Sequence, residues 1–261
     1  MIVEEFIGNG ANWNVKRISI TNNGKTISFI HKESIKNTSV NPNIVNYNKV
    51  ASSKLPTLSF FRQKIIDGLE VIEAEDLNPI NCDGFYVSPN TARNSPSCAS
   101  EIVKFLDSCN KENTISNQCK QFDISEYLRN PETISDDLDK LHEIRILQGA
   151  EKYVYENKIK AISNFSHFLN ASKTDMEIAT NNKIELFSDS FFFRVSASDN
   201  KIDYKIADFD CINLNSDIDK GELLNANKSY FETSLCEFID FFIDEKQREI
   251  YKSELKNVWE E

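Results

Sequence analysis

Closely spaced carboxylates give this sequence its clearest candidate for chemistry. Asp203, Asp208 and Asp210 lie in the stretch IDYKIADFD, which follows a run of apolar and aromatic residues, and Asp189 precedes that run. Carboxylate oxygens are ligands that Mg²⁺ prefers in proteins. A divalent ion held by such oxygens can polarise a phosphate and activate a water molecule.

One hypothesis is therefore a metal-dependent phosphodiesterase or nuclease. In this hypothesis Asp189, Asp208 and Asp210 hold Mg²⁺ or Mn²⁺, while Asp203 and Lys205 are catalytic. The lysine would stabilise the charge that develops on the phosphate. An acid, any residue and a lysine also occur together often by chance, so this reading is the alternative to a protein without catalysis.

The orientation of the aspartates depends on the strand pairing. A two-residue turn at Asp199-Asn200 predicts a hairpin in which Val195 opposes Tyr204 and Phe193 opposes Ile206. An unbroken ladder then places Asp189 opposite Asp210, and Phe191 opposite Asp208, on the apolar face. Facing carboxylates on a half-buried sheet are costly unless a cation or a proton lies between them.

A β-bulge near Ala207 is the competing interpretation. One extra residue there returns Phe209 and Cys211 to the core face and turns Asp208 and Asp210 towards solvent. We favour the bulge, because the alternation of Ala207, Phe209 and Cys211 is as regular as the one before it. In that case the aspartates need no metal.

The distribution of charge suggests a second candidate site. The chain has 30 Lys and Arg against 41 Asp and Glu, a net charge of −11, which disfavours general binding of nucleic acid. Residues 1–56 nevertheless carry a net charge of +4. They predict a local patch for an anion, a nucleic acid or an acidic partner, although such residues more often serve solubility. The patch comprises Lys16, Arg17, Lys25 and Lys32.

The common catalytic signatures are missing from the sequence. It contains no GxxxxGK[ST], GxGxxG, GxSxG or HExxH motif, no zinc-type cysteine spacing and only 3 histidines. We therefore expect no cofactor and predict a soluble, cytoplasmic binding or regulatory protein that recognises a protein partner. The richness in Lys, Ile and Asn is typical of AT-rich bacterial or phage genes, which suggests conflict between a host and mobile elements.

The clearest element is a hairpin over residues 13–32. Asn23-Gly24 suits a type I′ turn, because both central residues need positive φ. The resulting register places Ile20 opposite Ile27 and Ile18 opposite Phe29, and predicts that this face of the hairpin is dry.

The remaining patterns predict an α+β fold. Antiparallel hairpins are expected at 13–32 and 183–212, and helices near 57–69, 96–109, 136–170 and 228–258. A single domain over 1–261 fits the length, with a weaker alternative boundary at 110–120 between a mixed α/β part, 1–110, and a part of helices and a β-meander, 121–261. No apolar run is long enough to predict a membrane span.

Overall fold

The computed structural model describes residues 1–9, 13–35, 42–79, 82–84, 86–89, 159–214 and 217–260. The predicted helix at 96–109, the boundary at 110–120 and the part of the predicted 136–170 helix before residue 159 lie outside these ranges. Within them the chain is α+β, as predicted. The strands and helices in chain order are β1 (Ile2–Asn9), β2 (Trp13–Asn22), β3 (Lys25–Ser34), α1 (Pro42–Ser52), β4 (Phe60–Ile66), β5 (Leu69–Glu75), α2 (Phe165–Asn181), β6 (Glu185–Leu186), β7 (Phe191–Val195), β8 (Ile202–Ile206), β9 (Ile212–Asn213), α3 (Lys220–Phe242) and α4 (Glu245–Glu260).

The amino-terminal part is a five-stranded antiparallel sheet in the order β1-β2-β3-β5-β4. The helix α1 connects β3 to β4. The two strand pairs β2–β3 and β4–β5 are hairpins, each closed by a two-residue turn, and β3 pairs with β5 between them. One face of this sheet, which we call the inner face, packs towards α1 and the rest of the protein.

The predicted register of the first hairpin is confirmed. Ile20 pairs with Ile27 and Ile18 with Phe29, and both turn residues have positive φ, 49° at Asn23 and 75° at Gly24. The expectation that this face is dry is wrong, since Ile27 remains 65% exposed.

The opposite face of the hairpin is part of the inner face of the sheet. Its polar side chains can be buried there because the buried carboxylate of Asp76 accepts hydrogen bonds from them. Arg17 Nε donates to Asp76 Oδ2 at 2.7 Å, and Ser28 Oγ donates to the same oxygen at 2.6 Å. Both side chains of the Arg17–Asp76 ion pair are nearly buried. A desolvated ion pair is tolerated when further hydrogen bonds satisfy it, and Arg17 also donates to the carbonyl of Asn78 at 2.9 Å.

The helix predicted at 57–69 is wrong, because this region forms β4 and the turn into β5. Asp67 and Gly68 both have positive φ and connect the two strands directly. Asp-Gly is as strong a hairpin signal as Asn-Gly. The spacing of Leu58, Phe61 and Ile65 is compatible with a helix. It arises here because β4 exposes apolar residues on both faces, with Phe61 61% and Ile65 71% exposed.

The carboxy-terminal helices begin and end differently from the prediction. Residues 159–164 are not helical, and α2 runs from Phe165 to Asn181, past the expected end at 170. The helix predicted at 228–258 is two helices. A bridge of Ile159 to Ile243 separates them, since Ile159 N donates to Phe242 O and Asp244 N donates to Ile159 O. In the described ranges no helix is both long and apolar enough to cross a membrane.

The second hairpin is present, but its turn is longer than predicted. Val195 pairs with Ile202, Phe193 with Tyr204 and Phe191 with Ile206, so residues 196–201 form the loop. The shift of two residues keeps the same faces. The ladder ends at Ile206, and a short 3-10 turn at Phe209–Cys211 follows instead of either an unbroken ladder or a bulge. This hairpin packs on α2 and α3 in an aromatic core that includes Phe168, Phe191, Phe193, Tyr204, Phe231 and Phe238.

Two turn glycines should respond differently to the same substitution. Gly24→Val should lower the free energy of unfolding by about 1–3 kcal/mol through backbone strain alone, since no atom lies within 4 Å of an added Cβ. Gly84→Val should cost more, because φ is 96° and an added Cβ would lie 2.4 Å from the carbonyl oxygen of Val195. Urea unfolding measures both. Lys25→Val, on the exposed strand beside the turn, is the control, and equal midpoints for Gly24→Val and Lys25→Val would contradict the strain argument.

Candidate functional site

Asp210 connects the two parts of the protein. Its carboxylate accepts a hydrogen bond from Trp13 Nε1 of β2 at 3.0 Å, and a second one from the side-chain amide of Asn43 in α1. The Trp13 side chain is buried in the core. An exposed aspartate therefore fixes a strand and a helix of the sheet region against the turn that follows β8.

The same turn is held by its backbone. The Asn46 amide donates to Phe209 O at 2.8 Å and to Ile212 O at 2.9 Å, and Ser190 Oγ donates to Cys211 O at 2.7 Å. The ring of Phe209 is buried, edge-on to Tyr47 at a centroid distance of 5.5 Å. The neighbouring Asp208 side chain is oriented by its own contact with this turn, since Asp208 Oδ1 accepts from Asp210 N at 3.2 Å.

Asp208 is half-buried and lies among other charges. Burial raises the pKa of its carboxyl, and Asp210 and Asp189 raise that pKa further, whereas the nearby Lys32 ammonium and the Asp210 amide lower it. The turn thus places the Asp208 carboxyl, whose ionisation burial disfavours, within electrostatic range of the Lys32 ammonium of β3.

Lys32 is the cation in question. It lies half-buried on the inner face of β3, paired across the sheet with Val15 and Ile72. Within the described ranges its ammonium makes no hydrogen bond and no ion pair within 4.0 Å, whereas Arg17, Arg62, Arg194 and Lys205 each bind a carboxylate. A half-buried ammonium without an ion pair is an incomplete electrostatic arrangement.

Glu70 is connected to these charges through Asp210. It lies on the inner face of β5 opposite Ser34 and only 2% of it is exposed. One oxygen accepts from Gln63 Nε2, while Oε2 has no partner among the described residues. Burial raises the pKa of Glu70, and Asp210 raises it further. We call Lys32, Glu70, Asp208 and Asp210 the Lys32 junction.

The other residues of the predicted metal site point elsewhere. Asp203 forms an ion pair with Arg194, and Lys205 Nζ binds Glu75 Oε1 at 2.6 Å. Asp189 remains close enough to Asp208 to raise its pKa. Across the described ranges, no group of three or more His, Cys, Asp or Glu side chains could hold a metal ion. The metal and catalytic assignments therefore stay predictions, with Asp203 and Lys205 separated from the turn.

The predicted basic patch is divided between the two faces of the sheet. Lys16, paired with Glu4 at 3.5 Å, and Lys25 belong to the outer face. Arg17 and Lys32 belong to the inner face, where Arg17 is occupied by Asp76. Only Lys32 combines partial burial with an unpaired ammonium, so the patch remains a prediction that these positions do not support as one surface.

Sequence reasoning missed Trp13, Asn43 and Glu70. Each reaches the junction through a contact with a distant part of the chain, such as the 197 residues that separate Trp13 from Asp210. For Glu70 one local signal exists. It follows the Asp-Gly turn and alternates with Ile72 and Ala74, which marks it as an inward-facing acid.

The buried carboxyl of Glu70 should reduce stability at neutral pH. Because its folded pKa lies above the ordinary 4.5, its stabilising contribution is full below pH 4.5 and is lost as pH rises through the folded pKa. Glu70→Gln should raise the free energy of unfolding at pH 7.5 by about 1–3 kcal/mol, and this gain should shrink towards pH 4.5. Urea unfolding at several pH values measures it. Glu73→Gln is the control with the opposite sign, since Arg62 lowers the pKa of Glu73. A pH-independent gain would contradict the assignment.

The two aspartates of the turn should differ in the same buffers. Asp208→Asn removes a carboxylate that burial and its neighbours disfavour, so the free energy of unfolding should stay equal or rise. Asp210→Asn should lower it by about 1 kcal/mol, because one amide oxygen cannot replace two charged acceptors for Trp13 and Asn43. Thermal unfolding in EDTA compares them, and a larger loss for Asp208→Asn would reverse these roles.

No protein-family model and no curated protein matches the sequence. The solved structures to which the chain is similar include two with low identity. One is "WaaP in complex with acyl carrier protein", with 7% identity, a TM-score of 0.39, and coverage of 99% of this chain and 81% of that one. The other is an ethanolamine kinase of Plasmodium vivax, with 12% identity, a TM-score of 0.35, and coverage of 98% and 67%. Similarity at this level leaves the family of the chain open.

Proposed function

We propose that the chain is a binding protein whose Lys32 junction takes a nucleoside polyphosphate together with a divalent cation, and that this ligand regulates recognition of a protein partner. The observation that carries the proposal is the half-buried Lys32 ammonium on the inner face, which lies within electrostatic range of Asp208 but makes no ion pair in the described part of the chain. An ammonium in this position favours a phosphate oxygen as its missing counter-charge.

The charges around Lys32 restrict the ligand class. Glu70, Asp208 and Asp210 would repel a bare phosphate, so the ligand must bring positive charge of its own. Mg²⁺ is usually bound through one or two carboxylates together with substrate phosphates, and it keeps several water molecules. A polyphosphate carrying Mg²⁺ therefore suits a junction of one lysine and several acids better than a free anion or a free metal.

The positions of these residues along the chain support the same ligand. In protein kinases a lysine of the third strand contacts nucleotide phosphates, and an aspartate directly before a phenylalanine holds Mg²⁺. Here Lys32 lies on the third strand, and Asp208 precedes Phe209 after β8. Asp208 would hold the ion through water and one carboxylate oxygen, and Lys32 would contact a phosphate.

We propose binding without phosphoryl transfer. A transferring enzyme also needs a carboxylate that can reach the substrate hydroxyl. Among the described residues, Glu185 is buried and accepts from Asn213 at 3.1 Å, and Asp203 is paired with Arg194, so neither of these two is free for that role. The same pairing, and that of Lys205 with Glu75, leaves the phosphodiesterase alternative without a specific supporting contact.

The proposal is tested by binding of a non-hydrolysable ATP analogue with and without Mg²⁺. The wild-type melting temperature should rise in a saturable way only when both are present. Lys32→Gln should weaken the affinity about ten-fold or more, since a charge-assisted contact is lost. Asp208→Asn should make the affinity for the analogue the same with and without Mg²⁺.

Lys64→Gln is the matched control, because Lys64 is exposed on β4, away from the inner face. It should bind the analogue like the wild type. An absence of any shift at millimolar analogue with Mg²⁺ would overturn the proposal, as would equal affinities of Lys32→Gln and Lys64→Gln.

A further inference from the structure

We infer that the outer face of strands β1–β3 is the interface of a homodimer, in which two sheets pack face to face around a two-fold axis. The face presents an apolar cluster from three adjacent strands. It is formed by Ile2, Ile18, Ile20, Ile27 and Phe29, which we call the outer apolar cluster.

The cluster is exposed although its strands alternate like a buried sheet. Ile2 is 67% and Ile27 65% exposed, at neighbouring positions that Ile20 connects. Near the turn, Arg17, Ser19 and Ser28 of the same strands point inwards, where Asp76 binds Arg17 and Ser28. An antiparallel sheet with one solvated face normally keeps its polar residues on that face. The reversed arrangement therefore indicates that another surface covers the outer apolar cluster.

The charges next to the cluster favour a second copy of this chain. Glu4 and Lys16 lie side by side at its border, at 3.5 Å, and both side chains are about half exposed. A two-fold axis brings each residue of one copy against the reciprocal residue of the other. A border that carries both a positive and a negative charge is complementary to its own symmetry copy. Glu4 of each copy can then lie against Lys16 of the other, which gives two equivalent contacts. A strongly acidic or basic partner would need a border of one sign.

The strand edges argue against joining two copies by two-fold pairing of equivalent edges. Pairing of β1 with β1 would bring the adjacent carboxylates Glu4 and Glu5 of the two chains together, and like charges protect a sheet edge. On the opposite edge, β4 carries Arg62 and Lys64. Face-to-face packing, in which aligned sheets lie about 10 Å apart, avoids both repulsions.

Sedimentation velocity of the full chain over a concentration series tests the interface. The wild type should be a dimer at micromolar concentrations, and Ile27→Glu should raise the dimer dissociation constant at least ten-fold. Ile250→Glu makes the same change at a 56% exposed isoleucine on α4 and should leave the dimer unchanged. A wild type that stays monomeric up to about 100 μM would overturn the inference.

A charge exchange then separates this interface from unspecific apolar association. Lys16→Glu alone and Glu4→Lys alone should each weaken the homodimer, because like charges would face each other across the axis. An equimolar mixture of the two variants should form a heterodimer about as stable as the wild type. A mixture that associates no better than either variant would refute the two-fold arrangement, and urea unfolding of each variant verifies that it is folded. Nucleotide binding is measured at Lys32 on the inner face, so either proposal can fail without the other.

Discussion

The hydrogen bonds of the Asp210 carboxylate are the constraint on which the rest of this arrangement depends. They join a strand of the sheet, the helix α1 and the turn after β8 at one side chain. Without them the turn would be attached to α1 through Asn46 and packing only. The buried ring of Phe209 and the direction of Asp208 both follow from the place of this turn. The distance between Asp208 and Lys32 is therefore set by an interaction in which neither takes part.

The Lys32 junction places charged groups directly beside the hydrophobic core. Glu70 lies beside the fully buried Ile72, yet one of its oxygens lacks a partner among the described residues. Nearby, burial and three carboxylates raise the pKa of the Cys211 thiol to about 12, so it stays protonated and unreactive at neutral pH. A structural core would replace such groups with apolar ones at little cost. Their accumulation around Asp208 and Asp210 is typical of a binding site, where electrostatic cost is exchanged for recognition.

The local parts of the fold could be predicted from the sequence, and the site could not. Asn23-Gly24 fixed the register of the first hairpin because a two-residue turn leaves one alignment of the strands. Asp67-Gly68 carries the same signal, but the apolar residues of β4, a strand exposed on both faces, have a spacing that also predicts a helix. At Asp199-Asn200 the turn pair misled, because Ser196 and Lys201 close a longer loop through their backbone. Which face of the first hairpin points inwards depends on Asp76, a distant partner that the periodicity of the hairpin does not reveal. The group around Lys32 likewise depends on contacts across most of the chain.

The reversed hairpin has a consequence for biosynthesis. When residues 1–34 have left the ribosome, the hairpin can form its turn, but Arg17 and Ser28 still face water because Asp76 has not yet emerged. At that stage the inner face of the nascent hairpin lacks the Asp76 carboxylate, and its outer apolar cluster is accessible to chaperones. Emergence of β5 supplies the pairing strand for β3 and the counter-ion for Arg17 at nearly the same moment. Chains fold from the amino terminus during synthesis. A ribosomal pause before Asp76 has emerged would therefore hold the hairpin in a state in which Arg17 has no counter-ion on the inner face.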